Sequence, residues 1–273
     1  MTQSSQLSLT AVACTIVATS IIISFRFKQD SSSNKKNVLD ETKNSKKDSF
    51  DISSPEETLQ LLQKRRSIFP KQYTGRKVPR TLIMDMLEAA RWAPTHKLTQ
   101  PWKFILHESE EAKELYAQFI SNHYKATSMA KNVFKEKKYE KKLHSARTSS
   151  CVIAICAMVP KFQEDGSFKG NPEVEEICSV AMAVQNMHLM ATAHNLGCYW
   201  SSSGIYDSKS ERYLTNPQAL RDFLKLEEYE NSDSMCLCLG WLYVGEFEET
   251  KGLKKWPKGQ RVPLEDGKKF IWR

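Results

Sequence analysis

The sequence predicts an α+β domain. Three observations carry this: apolar residues recur at helical spacing over several long stretches, shorter runs of strand length are almost continuously apolar, and the two kinds of element follow one another in the order α-α-β-α-β-α-β. Few of the connections suit a repeated βαβ unit, which argues against a doubly wound sheet. The chain of 273 residues is 40% hydrophobic, enough for one sizeable core and too apolar for a wholly disordered protein.

The elements can be justified in chain order. Residues 1–28 read as a hydrophobic anchor or targeting segment. No charged side chain occurs in residues 1–25, and residues 7–25 approach the ~20 apolar residues that cross a bilayer as a helix. Arg26 and Lys28 follow directly. That flank favours membrane association through residues 7–25 with the remainder facing the cytosol; an organelle signal is the alternative. Residues 29–53 are rich in Ser, Asn, Lys and Asp and read as a disordered linker. The folded domain is expected over residues 54–273.

Ser54-Pro55-Glu56-Glu57 combines a cap, a proline at the first helical position and acids in the first turn. Leu59, Leu62 and Ile68 continue at roughly helical spacing. A second helix opens near Pro79, carries Leu82, Ile83, Met86, Leu87 and Ala90 on one stripe, and ends before Pro94. Residues 102–107 look like a strand, 110–147 like a long polar helical stretch, and 151–156 like a central strand. A long helix over 173–196 grows nearly apolar in its second half, and 235–244 supplies another core strand with Gly240 inside it.

Composition narrows the function. The formal charge is +8, but much of it sits in the linker and in residues 124–147, so no nucleic-acid partner is expected. The 124–147 run could be a lid that attracts anionic cofactors, a contact to an anionic membrane surface, or a solvated helix face. Seven scattered cysteines are not a disulfide framework, and no Cys/His cluster has metal spacing. G-x-G-x-x-G, Walker, G-x-S-x-G and H-E-x-x-H motifs are all missing. An enzyme of this sequence therefore leaves its chemistry to a cofactor, with no catalytic side chain and no metal.

Four stretches could hold that cofactor. Arg65-Arg66-Ser67 places two cations and a hydroxyl at a helix end, suited to a phosphate or merely to the helix dipole. Residues 93–102 form a donor-rich loop between two prolines, with Thr95, His96 and Lys97 at its centre. Residues 197–204 offer hydroxyls and Trp200 after the buried helix, or simply a serine turn over a core tryptophan. Arg261 lies in an extended basic segment near the C-terminus.

In this order and spacing, the four stretches and the "LGWLYVGE" strand resemble the FMN-dependent nitroreductase family across residues 55–272. The "APTHK" form is closest to its small bacterial members. The resemblance implies a nitroreductase-like fold, with a central, mostly antiparallel sheet flanked by helices in a domain-entwined homodimer carrying two FMN sites. Arg65 and Arg261 would face the phosphate, with Arg66 and Ser67 beside it and the ribityl chain. His96 and the backbone around Trp92 would meet the flavin or its ribityl chain. Trp200, Ser201 and Ser202 would lie on the cofactor's other side, and Lys97 near its N1/O2 edge. NADH or NADPH would give hydride to flavin N5, and a nitroaromatic, a quinone or a similar electron-poor acceptor would then take it. Thr95-His96-Lys97 stands where the family usually has an asparagine, and the spacing of Lys258 from Arg261 departs from the usual Lys-x-Arg. Two alternatives remain: an iodotyrosine-deiodinase-like dehalogenase, for which Glu136, Tyr139 and Lys142 are a loose match, and a flavin-storage or scaffold protein without turnover.

Overall fold

The structure, a computed structural model, describes residues 54–205 and 215–248 together with Arg261, Lys269 and Ile271. The hydrophobic segment at 7–25, the linker and Lys258 lie outside the described residues. The expectation of a membrane-anchored, cytosol-facing protein is corrected here. Among the described residues no helix is long and apolar enough to cross a membrane. The two longest helices each begin with two or three glutamates and bury one side against other elements.

Helix α1 (Pro55–Lys64) begins at a capping box. The Ser54 hydroxyl accepts from the Glu57 amide at 3.2 Å, and the Glu57 carboxylate accepts from the Ser54 amide at 2.9 Å. Two amides that the helix cannot satisfy are thereby paired. Helix α2 (Arg80–Arg91) buries Ile83, Met86 and Ala90, the i, i+3, i+7 stripe of an amphipathic helix.

The sheet has the order β1-β2-β4-β3 and is antiparallel throughout, as expected. It comprises β1 (Trp102–His107), β2 (Cys151–Pro160), β3 (Leu196–Ser201) and β4 (Ser234–Glu246). The continuous apolar run of β2 is explained by its central position, where both faces are covered. Helix α3 (Glu110–Met129) sends Tyr116 onto Trp241 of β4, with ring centroids 4.5 Å apart. Helix α4 (Glu136–Thr148) folds back along α3. Helix α5 (Glu173–Ala193) packs along β2 and β3 and against α2, where the Asn186 side chain donates to the Ala89 carbonyl at 3.1 Å. A short α6 (Gln218–Leu224) precedes β4.

Three departures from the sequence reading have local causes. The stretch 110–147 is two helices rather than one, because Asn132 takes a left-handed φ of 54° between them. The long helix stops at Ala193, where Asn195 (φ 55°), not Gly197, supplies the left-handed residue. Residues 196–201 then form the edge strand β3 instead of a loop, paired from Leu196↔Glu246 to Ser201↔Trp241. Gly197 serves packing: a Cβ there would sit 2.7 Å from the Tyr73 ring.

Candidate functional site

The chain leaving α1 is stitched to the outer edge of β3. The Ile68 amide donates to the Cys198 carbonyl at 2.9 Å, and the Phe69 ring meets the Tyr199 ring at 4.5 Å between centroids. Residues 65–69 therefore run beside β3 over no more than ~14 Å of chain. A charge cluster lies at one end of this run and a cavity at the other.

The cluster centres on Arg65. Burial, and then the positive charges of Arg261 and Arg66, hold its pKa below the usual arginine value. Arg66 also turns one guanidinium nitrogen onto the Gln63 and Arg65 carbonyls, the latter at 2.8 Å, at the end of α1. His188 of α5 is buried, and its Nδ1 has no hydrogen-bond partner among the described residues. Burial and the charge of Arg65 push its pKa down to about 4, so at neutral pH the imidazole is uncharged. Converging cations beside an unpartnered buried imidazole are costly in isolation and are relieved by a bound anion.

At the other end lies a cavity of about 490 Å³. Phe69, Tyr124, Tyr199 and Tyr243 give it aromatic walls. Ser145, Ser201 and Ser203 add hydroxyls. Lys71 and the α4 side chains Lys138, Lys141 and Lys142 add positive charge, and among the described residues none of the lining is acidic. The aromatic wall is anchored from below. The Tyr243 and Tyr116 hydroxyls pair at 2.5 Å, and burial raises the Tyr243 pKa to about 12. The Tyr73 hydroxyl lies 3.0 Å from the Ile68 carbonyl and 3.1 Å from that of Tyr243, tying the 65–69 run to β4.

The structure thus groups Arg65, Arg66, Ser67 and Arg261 at the charged end, and places Ser201 in the cavity wall with Ser202 exposed beside it. Trp200 lies elsewhere: its indole donates to the Leu239 carbonyl at 3.3 Å and covers Gly240, where a Cβ would fall 2.4 Å from the indole nitrogen. Trp92, His96 and Lys97 are not brought to this site within one chain. Trp92 is 74% exposed and donates to Glu88 at 2.9 Å. His96 pairs with the Glu175 carboxylate at the start of α5, and Lys97 is exposed with φ 51°. Glu175 and His188 are thirteen positions apart on α5, roughly 20 Å at 1.5 Å per residue.

Sequence reasoning offered neither His188 nor Lys71 for the site, and it took the α4 lysines only as part of the basic 124–147 run and Tyr199 and Ser203 only as part of the 197–204 stretch. A signal for the lysines was present, since positions 138, 141, 142 and 145 share one helical face. Of Glu136, Tyr139 and Lys142, only Lys142 lines the cavity.

A family model described as the nitroreductase family matches residues 62–241. A Bacillus subtilis (strain 168) protein provisionally named NAD(P)H nitroreductase YfhC is 30% identical over 150 residues, spanning 55% of this chain and 71% of its own. Among solved structures, a nitroreductase-like family protein from Bacillus cereus superposes with a TM-score of 0.52 at 21% identity, covering 78% of this chain and 94% of that one. A Desulfovibrio desulfuricans protein described as a nitroreductase in complex with FMN gives 0.50 at 20% identity, over the same 78% and 94%. At these identities the two structures establish the fold alone.

Proposed function

The chain belongs to the nitroreductase family, and on that premise we propose that it is an FMN-dependent NAD(P)H oxidoreductase acting on nitroaromatic, quinone or similar electron-poor acceptors. The observation that carries this reading is the charge cluster: Arg65 crowded by Arg66 and Arg261, beside the partnerless Nδ1 of His188. A phosphate suits that donor set, and the ~14 Å run from Arg65 to Phe69 leads from it to an aromatic cavity that can take a flat ring.

Arg65, Arg66 and Arg261 would neutralise the phosphate, and His188 would add a hydrogen bond without adding charge. Ser67 would face the polyol chain. Phe69, Tyr199 and Ser201 would flank the ring and keep water from one side of it. FMN supplies there a centre that accepts hydride from NAD(P)H and delivers it to the acceptor. For a nitroaromatic the overall reaction is ArNO₂ + NAD(P)H + H⁺ → ArNO + NAD(P)⁺ + H₂O. The protein's part is orientation and electrostatics.

Trp92, His96 and Lys97 would reach a flavin only in a second copy, so the working unit in this reading is a homodimer. Two features support it. Trp92 and Leu98 are 74% and 80% exposed, and Lys97, Leu98 and Gln100 all hold positive φ (51°, 56° and 47°) in one short loop. Such strain persists where surroundings over-determine it. The FMN-binding domain in this reading spans residues 54–273.

The test is spectroscopic. The purified protein should show flavin absorbance, lose it anaerobically with NADPH or NADH, and recover it when a nitroaromatic is added. A protein that stays colourless after incubation with FMN sinks the reading. A yellow protein that neither nicotinamide bleaches is a storage protein, and one that releases iodide from iodotyrosine faster than it reduces nitro groups is a dehalogenase.

A further inference from the structure

The flavin reading accounts for the arginines at one end of the 65–69 run, but not for the lysines at the other. Oxidised flavin carries no fixed charge at its ring, whereas α4 presents Lys138, Lys141 and Lys142 to the cavity from one helical face, with Lys71 joining them. Among the described residues that line the cavity, none is acidic to balance them. Lys142 is the most committed of the group. It is half-buried, donates to the Ser203 hydroxyl at 2.9 Å, and lies with its ammonium 5.6 Å from the Tyr124 ring centroid. Burial, then Lys138 and Lys141, make its positive charge less favourable than that of a free lysine. A neutral occupant would leave that strain in place, and an anionic one relieves it.

Resting on the flavin reading, we propose that the α4 lysine stripe is an anion subsite of the acceptor cavity. It selects aromatic acceptors that carry a carboxylate or a similar negative group. Phe69 and Tyr199 stay with the flavin ring; Tyr124, whose ring centroid lies 5.6 Å from the Lys142 ammonium, takes the acceptor's ring, and the ammonium groups take the charge. Hydrogen bonds and ion contacts to a partly desolvated ammonium discriminate more sharply than exposed surface pairs do.

Two probes of nearly equal shape separate charge from size: 4-nitrobenzoate and 4-nitrobenzamide. Isothermal titration of each into the purified protein reads binding without turnover, and steady-state kinetics with NADPH and with NADH read kcat/KM. The variants are Lys142→Met and the exposed pair Lys138→Gln with Lys141→Gln, which keeps good helix formers on α4. The wild type should favour the carboxylate by about tenfold or more, in Kd and in kcat/KM. Each variant should lower the carboxylate-to-amide ratio several-fold, whatever happens to the overall rate.

A wild-type ratio near one in both measurements overturns the subsite. If the protein is yellow and NADPH bleaches it, the flavin reading survives that result. A carboxylate-to-amide ratio that holds in the variants while their NADPH-to-NADH ratio of kcat/KM falls assigns the lysines to the donor's phosphates and overturns the proposal. Flavin loss in the variants, with the ratio unchanged in the protein that keeps flavin, assigns them to the cofactor and overturns it equally. A colourless wild type that still prefers the carboxylate in titration keeps the subsite and sinks the flavin reading.

Discussion

Two stretches of α5 follow opposite electrostatic plans. At its start, Glu175 and Glu176 each have internal partners. Glu175 pairs with His96, while Glu176 accepts from Thr99 at 2.8 Å and from Asn171 at 3.1 Å. Towards its other end, His188 has an unpaired ring nitrogen and faces the charge of Arg65, which Arg66 and Arg261 crowd further. Satisfied pairs hold a loop in place. A surplus of one sign beside an unpartnered donor marks where a ligand completes the electrostatics. The difference teaches that a candidate binding end is recognisable by what it leaves unbalanced, and a framing end by what it closes.

The comparison can be broken most severely at the strand that frames the unbalanced end. Gly240 has φ +142°, and a Cβ there would lie 2.4 Å from the Trp200 indole nitrogen and 2.6 Å from the Ser201 carbonyl oxygen. Backbone cannot yield as a side-chain tip can, so Gly240→Ala should prise β3 from β4 and cost about 3 kcal/mol. Urea unfolding checks this; an unchanged midpoint would mean that β3 is not clamped as described.

The next effect is a pH dependence confined to the His188 end. The unfolded imidazole takes a proton near pH 6.5, the buried one only near 4. Below pH 6.5 the unfolded state therefore binds more protons, and stability falls as pH drops towards 4, by up to about 3 kcal/mol. His188→Leu should flatten that limb in the flavin-free protein, as measured by denaturant titrations at pH 7 and pH 5. FMN should flatten it too, because a phosphate stabilises the imidazolium. An identical acid limb in wild type and variant would remove His188 from the account.

Arg65→Ala sharpens the contrast further. Losing a charge-assisted bond to a phosphate should weaken FMN retention by about 2 kcal/mol, some thirtyfold. The smallest effect belongs to the balanced end. Glu175→Gln removes one partner of a half-exposed pair and should change stability by less than about 1 kcal/mol. A larger loss would show that the framing end also bears global stability.

Much of the frame could be read directly from the sequence. Ser54 and Glu57 announce their own capping box, and β2 shows its central place through an unbroken apolar run. The edge strand β3 could not be read, because glycine is the habitual helix stop and Gly197 drew attention from Asn195, which performs that role. Within the site, Arg65, Arg66, Ser67 and Arg261 carry a local pattern. His188 does not: its isolation depends on α5 turning it towards Arg65, a tertiary fact with no sequence signature. Trp200 misleads for the converse reason, since an aromatic after a buried helix suits a cofactor and a glycine of the neighbouring strand equally well. The α4 lysines resemble any solvated basic face until α4 folds back along α3 and brings Lys142 to Ser203.

The central claim, that the cations beside β3 hold a flavin phosphate, is tested most directly by titrating FMN into flavin-stripped wild-type and Arg65→Ala protein and following the quenching of flavin fluorescence. The account expects saturation at one FMN per chain in the wild type, and about thirtyfold weaker binding in the variant. No saturable quenching, or equal affinity in the two proteins, would contradict it.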